Sequence, residues 1–88
     1  MNKETNWEDI GFIISSEYRK KVLKNLENPK TPSSISKETN INKTHISKTL
    51  KELNSKKLIE CLNPKAVKGK FFVITEEGKD ILKEIGKL

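Results

Sequence analysis

Thr44, Ser47, Lys48 and Lys51 stand at spacings of three, four and seven from the first, which on a helix places all four on one face. Two hydroxyls and two ammonium groups make no nucleophile, acid–base pair or metal nest; they make hydrogen bonds and charge pairs. A short hydroxyl bonds either kind of base, and threonine can also touch a thymine methyl. An ammonium reaches guanine O6 or N7, although lysine lacks the planar fork with which arginine reads that edge. Lys43 and Lys51 flank the set and suit phosphates, contacts that position a protein without reading sequence. His45 falls among them and can also meet a phosphate or base, but a lone histidine near a helix start is more often a polar or half-buried residue. A pH-sensing role for it needs a perturbed pKa. Lys65, Lys68 and Lys70 form a second cationic set around Gly69. The bland reading of both sets is a wet helix face and a charged loop that keeps sheet edges from aggregating.

These side chains need a scaffold that exposes them. Residues 31–57 read as two short helices joined by a tight turn. Thr31 and Pro32 start the first, since threonine caps orphan amides and proline suits the first helical turn. Asn40 falls where a left-handed residue ends it, and Asn42 caps the second. Ile46, Leu50 and Leu53 then give residues 43–56 one narrow apolar stripe, with Thr44, Lys48, Lys51 and Ser55 opposite. A helix-turn-helix of this kind presents its second helix to a groove of nucleic acid.

Charge points the same way. The chain carries 18 basic and 12 acidic residues, a net charge of +6. Residues 43–70 hold eight lysines against only Glu52 and Glu60, a local surplus equal to that of the whole protein. Positive charge so concentrated attracts phosphates and gains affinity from counterion release. Eighty-eight residues make one domain, 1–88, with the polar residues 1–6 read as frayed. One cysteine and one histidine exclude a disulfide framework and a Cys/His zinc site within one chain; no metal and no cofactor are expected. No acid–base pair, phosphate-cradling glycine loop or nucleophile–histidine set has workable spacing, which argues against an enzyme. No apolar run is long enough for a bilayer and the start lacks a secretory pattern, so a cytoplasmic chain without a membrane partner is expected.

The remaining elements follow from pattern. Ser15 and Ser16 can cap a helix to about Leu26, with Tyr18, Val22, Leu23 and Leu26 on one face, and Asn28-Pro29 ends it. Residues 58–62 and 71–74 read as short strands, joined by a basic loop, 63–70, with turn residues at each end. Thr75 can cap a last helix with Ile81, Leu82, Ile85 and Leu88 inward, while Gly78 weakens its first turn. Residues 7–14 admit three readings: strand, irregular segment or helical lead-in. Trp7, Ile10, Phe12 and Ile13 within them either cover the core or form a patch for a second subunit. Cys61 reads as a small buried apolar residue before it reads as a redox switch. Arg19, the only arginine, either braces the domain or meets a phosphate.

Helix, helix, helix, strand, basic loop, strand, helix is the order of a winged helix-turn-helix: mainly α with a small β-hairpin, a three-helix core, a two-stranded wing and a C-terminal helix. The stretches SEYRKKVL (16–23), TPSSI (31–35), HISKTLKEL (45–53), LIECLNP (58–64) and GKFFVITEEG (69–78) carry the likeness further. In them the chain resembles compact winged-helix regulators of the MarR/ArsR type, especially the short forms common in archaea. Three features depart from that pattern: Ser36 where relatives usually have alanine, Lys57 where glycine is common, and Lys48 and Lys70 where arginine is frequent. The resemblance implies a non-enzymatic transcription regulator that binds double-stranded DNA as a homodimer on half-sites about one turn apart. Residues 43–56 then enter the major groove and the wing, 63–70, lies on the backbone or in a narrow minor groove. The DNA-binding residues expected are Lys43, Thr44, His45, Ser47, Lys48, Lys51, Lys65, Lys68 and Lys70. Two other functions suit the same features: a protein-interaction adaptor in transcription machinery, docking an acidic partner, and a structured-RNA binder.

Overall fold

The computed structural model describes residues 7–88; the fraying expected of residues 1–6 lies outside them. The elements run α1 (Trp7–Ile14), α2 (Glu17–Asn25), α3 (Pro32–Thr39), α4 (Lys43–Ser55), β1 (Ile59–Cys61), β2 (Phe72–Ile74) and α5 (Glu76–Ile85). Helix starts are set by side-chain caps. Ser16 Oγ accepts from the Arg19 amide at 3.3 Å, Thr31 Oγ1 from Ser34 at 3.3 Å, Asn42 Oδ1 from Thr44 at 2.8 Å and Thr75 Oγ1 from Gly78 at 3.1 Å. Each satisfies a donor that the first turn leaves unpaired. Pro32 opens α3 and Asn40 closes it in the left-handed region at φ 60°.

Two departures from the expected pattern find their reasons here. Ser36 donates its hydroxyl to the Ile41 carbonyl at 2.6 Å, a strut across the turn between α3 and α4 that alanine cannot make. Lys57 has φ 60° and ends α4 in a Schellman motif: Leu58 N–H reaches the Leu53 carbonyl at 3.1 Å and Lys57 N–H the Asn54 carbonyl at 3.0 Å. Leu53 and Leu58 are both fully buried, the apolar contact that accompanies this motif. Lysine pays about 1–2 kcal/mol for that backbone position, which glycine would not.

Strands β1 and β2 pair antiparallel, Ile59 with Ile74, Glu60 with Val73 and Cys61 with Phe72. On its other side Phe72 exchanges two backbone hydrogen bonds with Lys30, at 3.0 and 2.9 Å, a bridge that the sequence reading does not contain. One core takes Ile10 and Ile13 from α1, Val22 and Leu23 from α2, Ile35 from α3, and Ile46, Leu50 and Leu53 from α4. Ile59 and Ile74 enter from the hairpin and Ile81 from α5. Residues 7–14 are therefore a helix packed on α2 and α5, and four helices, not three, precede the wing. One inward assignment fails, and one member of an apolar face stays uncovered. Tyr18, on the apolar face of α2, is exposed, its ring against that of His45. Leu88 is exposed too, lying past the end of α5 at Ile85. Gly78 is buried, and a Cβ there would collide with the Leu58 carbonyl oxygen and stand 2.6 Å from Ile74 Cγ1. It is the contact that lets α5 close on the hairpin.

Arg19 braces three helices. Its guanidinium forks onto Glu52, Nε to Oε1 at 3.1 Å and Nη2 to Oε2 at 3.3 Å. It also donates to the Phe12 carbonyl at 2.9 Å and lies 3.9 Å over the Phe12 ring. The hydrogen bonds from Arg19 hold the Glu52 carboxyl below the usual carboxylate range, against the opposing effect of burial. A carboxyl lowered in the folded state stabilises above its unfolded pKa and loses that contribution as pH falls through the folded value. Arg19→Met is expected to cost about 1–2 kcal/mol near neutrality, allowing for partial exposure of the pair. Urea unfolding at pH 7 and pH 3 should show the gap between wild type and variant narrowing in acid; a gap independent of pH would dismiss the brace.

Candidate nucleic-acid interface

Helix α4 exposes Lys43, Thr44, His45, Ser47, Lys48 and Lys51, because its buried side is confined to Ile46, Thr49, Leu50 and Leu53. Together with the start of α3, it faces the hairpin across a groove of about 800 Å³. Lys43, Ser47 and Lys51 line one wall and Lys68, Gly69 and Lys70 the other, with Leu50, Pro32 and Phe72 among the apolar residues between them. Five of the nine residues expected from sequence thus meet in one groove. Thr44 and Lys48 lie further round α4, exposed but outside the lining, and Lys65 is exposed on the loop, also outside it. His45 is turned away: its ring stacks at 5.1 Å, tilted by 52°, on Tyr18 of α2.

The hairpin tip is held by one side chain. Asn63 Oδ1 accepts from the Phe71 amide at 2.7 Å, while Asn63 Nδ2 donates to the Gly69 carbonyl at 3.1 Å. Its own carbonyl accepts from Ala66 at 3.0 Å, closing a turn with Pro64 in the position that proline favours. Gly69 sits at φ 67°, where a side chain would be strained. Beyond this clamp Val67 is 94% exposed, an apolar tip between Lys65 and Lys68. Asn63→Ala removes both clasps and should loosen the loop more than the core. Amide exchange at residues 64–70 is expected to rise while the unfolding midpoint moves little, and unchanged loop protection would show the clamp to be idle.

Three further residues change the picture drawn from sequence. Cys61 is half-buried and lines the groove, its Sγ 3.8 Å from Asn63 Oδ1, instead of lying in the core; a three-residue strand at the sheet's end cannot cover it. Lys56 leaves the basic face, since it pairs with Glu8 at 3.4 Å and Asp9 at 3.7 Å and lies 5.3 Å over the Phe12 ring. Lys30 pairs with Glu38 at 2.6 Å; that hydrogen bond, with a second from Asn25, draws the Glu38 carboxyl below its ordinary range. Lys56 and Glu8 are 48 residues apart and Lys30 and Glu38 eight, beyond the reach of helical spacing, so no local signal announces either pairing. The Asn63 clamp had a readable trace in Asn63-Pro64 and Gly69. Among the described residues no three of His, Cys, Asp and Glu gather as metal ligands.

An exposed helix from a helix-turn-helix beside a two-stranded hairpin defines a winged-helix fold, an architecture that binds DNA. Residues 15–88 match the winged helix-turn-helix family, and the chain belongs to it. Solved structures share the fold at low identity. TubR bound to 24 bp of tubC, from Bacillus thuringiensis serovar israelensis pBtoxis, superposes with a TM-score of 0.80 at 12% identity, over 99% of this chain and 98% of that one. The reduced form of the transcriptional regulator YodB from B. subtilis gives 0.77 at 15%, over 98% and 87%. The homodimeric winged helix-turn-helix DNA-binding domain Mb0332 from Mycobacterium bovis, a possible ArsR-family regulator, gives 0.68 at 19%, over 98% and 84%. Comparison with curated protein sequences finds no match.

Proposed function

We propose that the chain is a non-enzymatic regulator of transcription that binds double-stranded DNA as a homodimer, each copy reading one half-site. Helix α4 enters the major groove, with Thr44, Ser47 and Lys48 toward base edges and Lys43 and Lys51 on flanking phosphates. The wing lies on the adjacent backbone or minor groove through Lys65, Lys68 and Lys70. His45 contributes at the margin, its ring being occupied by Tyr18. The observation that carries this reading is the single groove whose walls are α4 and the lysine-bearing hairpin. An adaptor for an acidic protein or an RNA binder needs no such pairing of a helix with a wing. A duplex does, since its grooves and phosphates are presented together.

Selecting bound fragments from a random duplex library supplies the test and the site. A two-fold motif with half-sites about 10–10.5 bp apart is expected. On that site Lys48→Ala should relax preference at one base position, at about 1–3 kcal/mol, whereas Lys68→Ala should weaken all sequences alike. No enrichment at low salt, or tighter binding to structured RNA than to duplex, would set the reading aside.

A further inference from the structure

We infer that the flank of α4 turned away from the wing carries a second phosphate-binding rim, made by Tyr18 and Lys21 of α2 with His45. The inference rests on the DNA reading and extends it to a helix which that reading does not use. Around α4 each residue advances about 100°, so His45 stands about 200° from Ser47, which lines the groove beside the wing. Glu52 follows His45 by seven residues and shares its flank. Both are met by α2, Glu52 by the Arg19 guanidinium and His45 by the Tyr18 ring, with centroids 5.1 Å apart.

A duplex presents two walls to a helix, not one. Its major groove is about 12 Å wide, and a helix with its side chains is about 10–12 Å across. Seated there, α4 has phosphates on both sides. The hairpin lysines serve one side, and on the other the element packed against α4 is α2. Lys48, three residues on from His45, joins that flank to the face turned toward the bases.

The side chains on this flank suit a phosphate. Tyr18 is 41% exposed, whereas Val22 and Leu23 on the same helix are fully buried. A phenol held in water brings a hydroxyl that donates to phosphate oxygens. Lys21, one turn on and exposed, brings an ammonium to the same side. Glu17, exposed in the first turn of α2, is a charge of the wrong sign there and should oppose the contact.

The rim is also set in place before any ligand arrives. Arg19, next to Tyr18, forks onto Glu52 at 3.1 and 3.3 Å and so pins α2 against α4. The His45 ring, tilted by 52° to that of Tyr18, holds the phenol in an arrangement that aromatic pairs favour. A side chain already ordered loses less freedom on binding than a loose one. His45 thus acts through Tyr18, as a positioning residue, and its contact with that ring becomes part of the interface.

Fluorescence anisotropy of the full chain on a labelled mixed-sequence duplex, across a salt series, tests this. Tyr18→Phe keeps the ring against His45 and drops only the hydroxyl. It should bind about three- to tenfold more weakly at an unchanged salt slope, because a neutral donor releases no counterion. Lys21→Gln should lower the slope by about 0.9, and Glu17→Gln should tighten binding. Lys83→Gln, exposed on α5, changes net charge as Lys21→Gln does and should leave the slope unaltered. In a His45→Ala background Tyr18→Phe should cost less, since the phenol is no longer held. Tyr18→Phe and Lys21→Gln proteins that bind as wild type does overturn the inference. So does a Tyr18→Phe protein whose unfolding midpoint falls along with its affinity, because the hydroxyl then serves the fold. A chain that binds duplex through Lys43 and Lys68 but ignores Tyr18 and Lys21 refutes this rim alone. A chain that binds no duplex even at low salt refutes the DNA reading, and the rim with it.

Discussion

Gly78→Ala is expected to destabilise the fold by about 3 kcal/mol or more, the upper end of what overpacking costs. Helix propensity predicts the opposite sign, since alanine in place of glycine inside a helix gains about 1 kcal/mol. Geometry decides between them. The added carbon would strike the Leu58 carbonyl oxygen, a backbone atom, and stand 2.6 Å from Ile74 Cγ1. Neither can yield cheaply, because Leu58 O accepts from the Thr75 amide at 3.0 Å and Ile74 is buried in the core. For a chain of 88 residues total stability is about 4–13 kcal/mol, so the variant loses a large share of it. Gly11→Ala is the internal control: its new carbon meets open space, and the dilute monomer should gain stability. Urea unfolding of both variants gives the answer, and a Gly78→Ala protein as stable as wild type would mean that α5 does not close on the hairpin at that point.

The second large effect is on affinity. Replacing Lys43, Lys51, Lys68 and Lys70 together by glutamine should lower affinity for duplex roughly a hundred- to a thousand-fold near physiological salt. The same change should reduce the slope of log K against log salt by about 3.6, because each phosphate contact contributes about 0.9. Lys56→Gln also removes one positive charge from the 43–70 stretch, but from a side chain engaged by Glu8 and Asp9; it should leave the slope nearly unchanged. Fluorescence anisotropy across a salt series separates the two. Should Lys56→Gln alter the slope as much as any groove lysine, attraction would be a property of net charge and the groove would have no special standing.

What was legible in the sequence was local. Ser16, Thr31, Asn42 and Thr75 cap helices through bonds that span two or three residues, and a short-range rule can see them. The stripe of Ile46, Leu50 and Leu53 was visible for the same reason, and with the two strand-like runs it was enough for the winged-helix order. Residues 7–14 were not legible. Glycine and isoleucine weaken the helical case that packing on α2 and α5 then makes. The exposure of Tyr18 was not legible, because an apolar arc says which side of a helix is covered but not where its neighbours stop. Gly78 looked like a weak point for want of any view of Leu58 and Ile74. In the candidate site, the wall formed by Lys43, Ser47 and Lys51 was foreseeable from helical spacing. The withdrawal of Lys56 to α1 and the Tyr18–His45 contact depend on how the helices pack on one another, and spacing is silent about that.

The paired hydrogen bonds between Lys30 and Phe72 bear on how the wing can flex. They stitch Phe72, in the strand pair nearest the loop, to Lys30, two residues ahead of α3, so the strands cannot swing as a lever without dragging the helix-turn-helix along. Compliance is left to the segment past Asn63. On the proposed reading, a tip free to tilt would follow a wider or narrower duplex groove while the angle at which α4 is presented stays fixed.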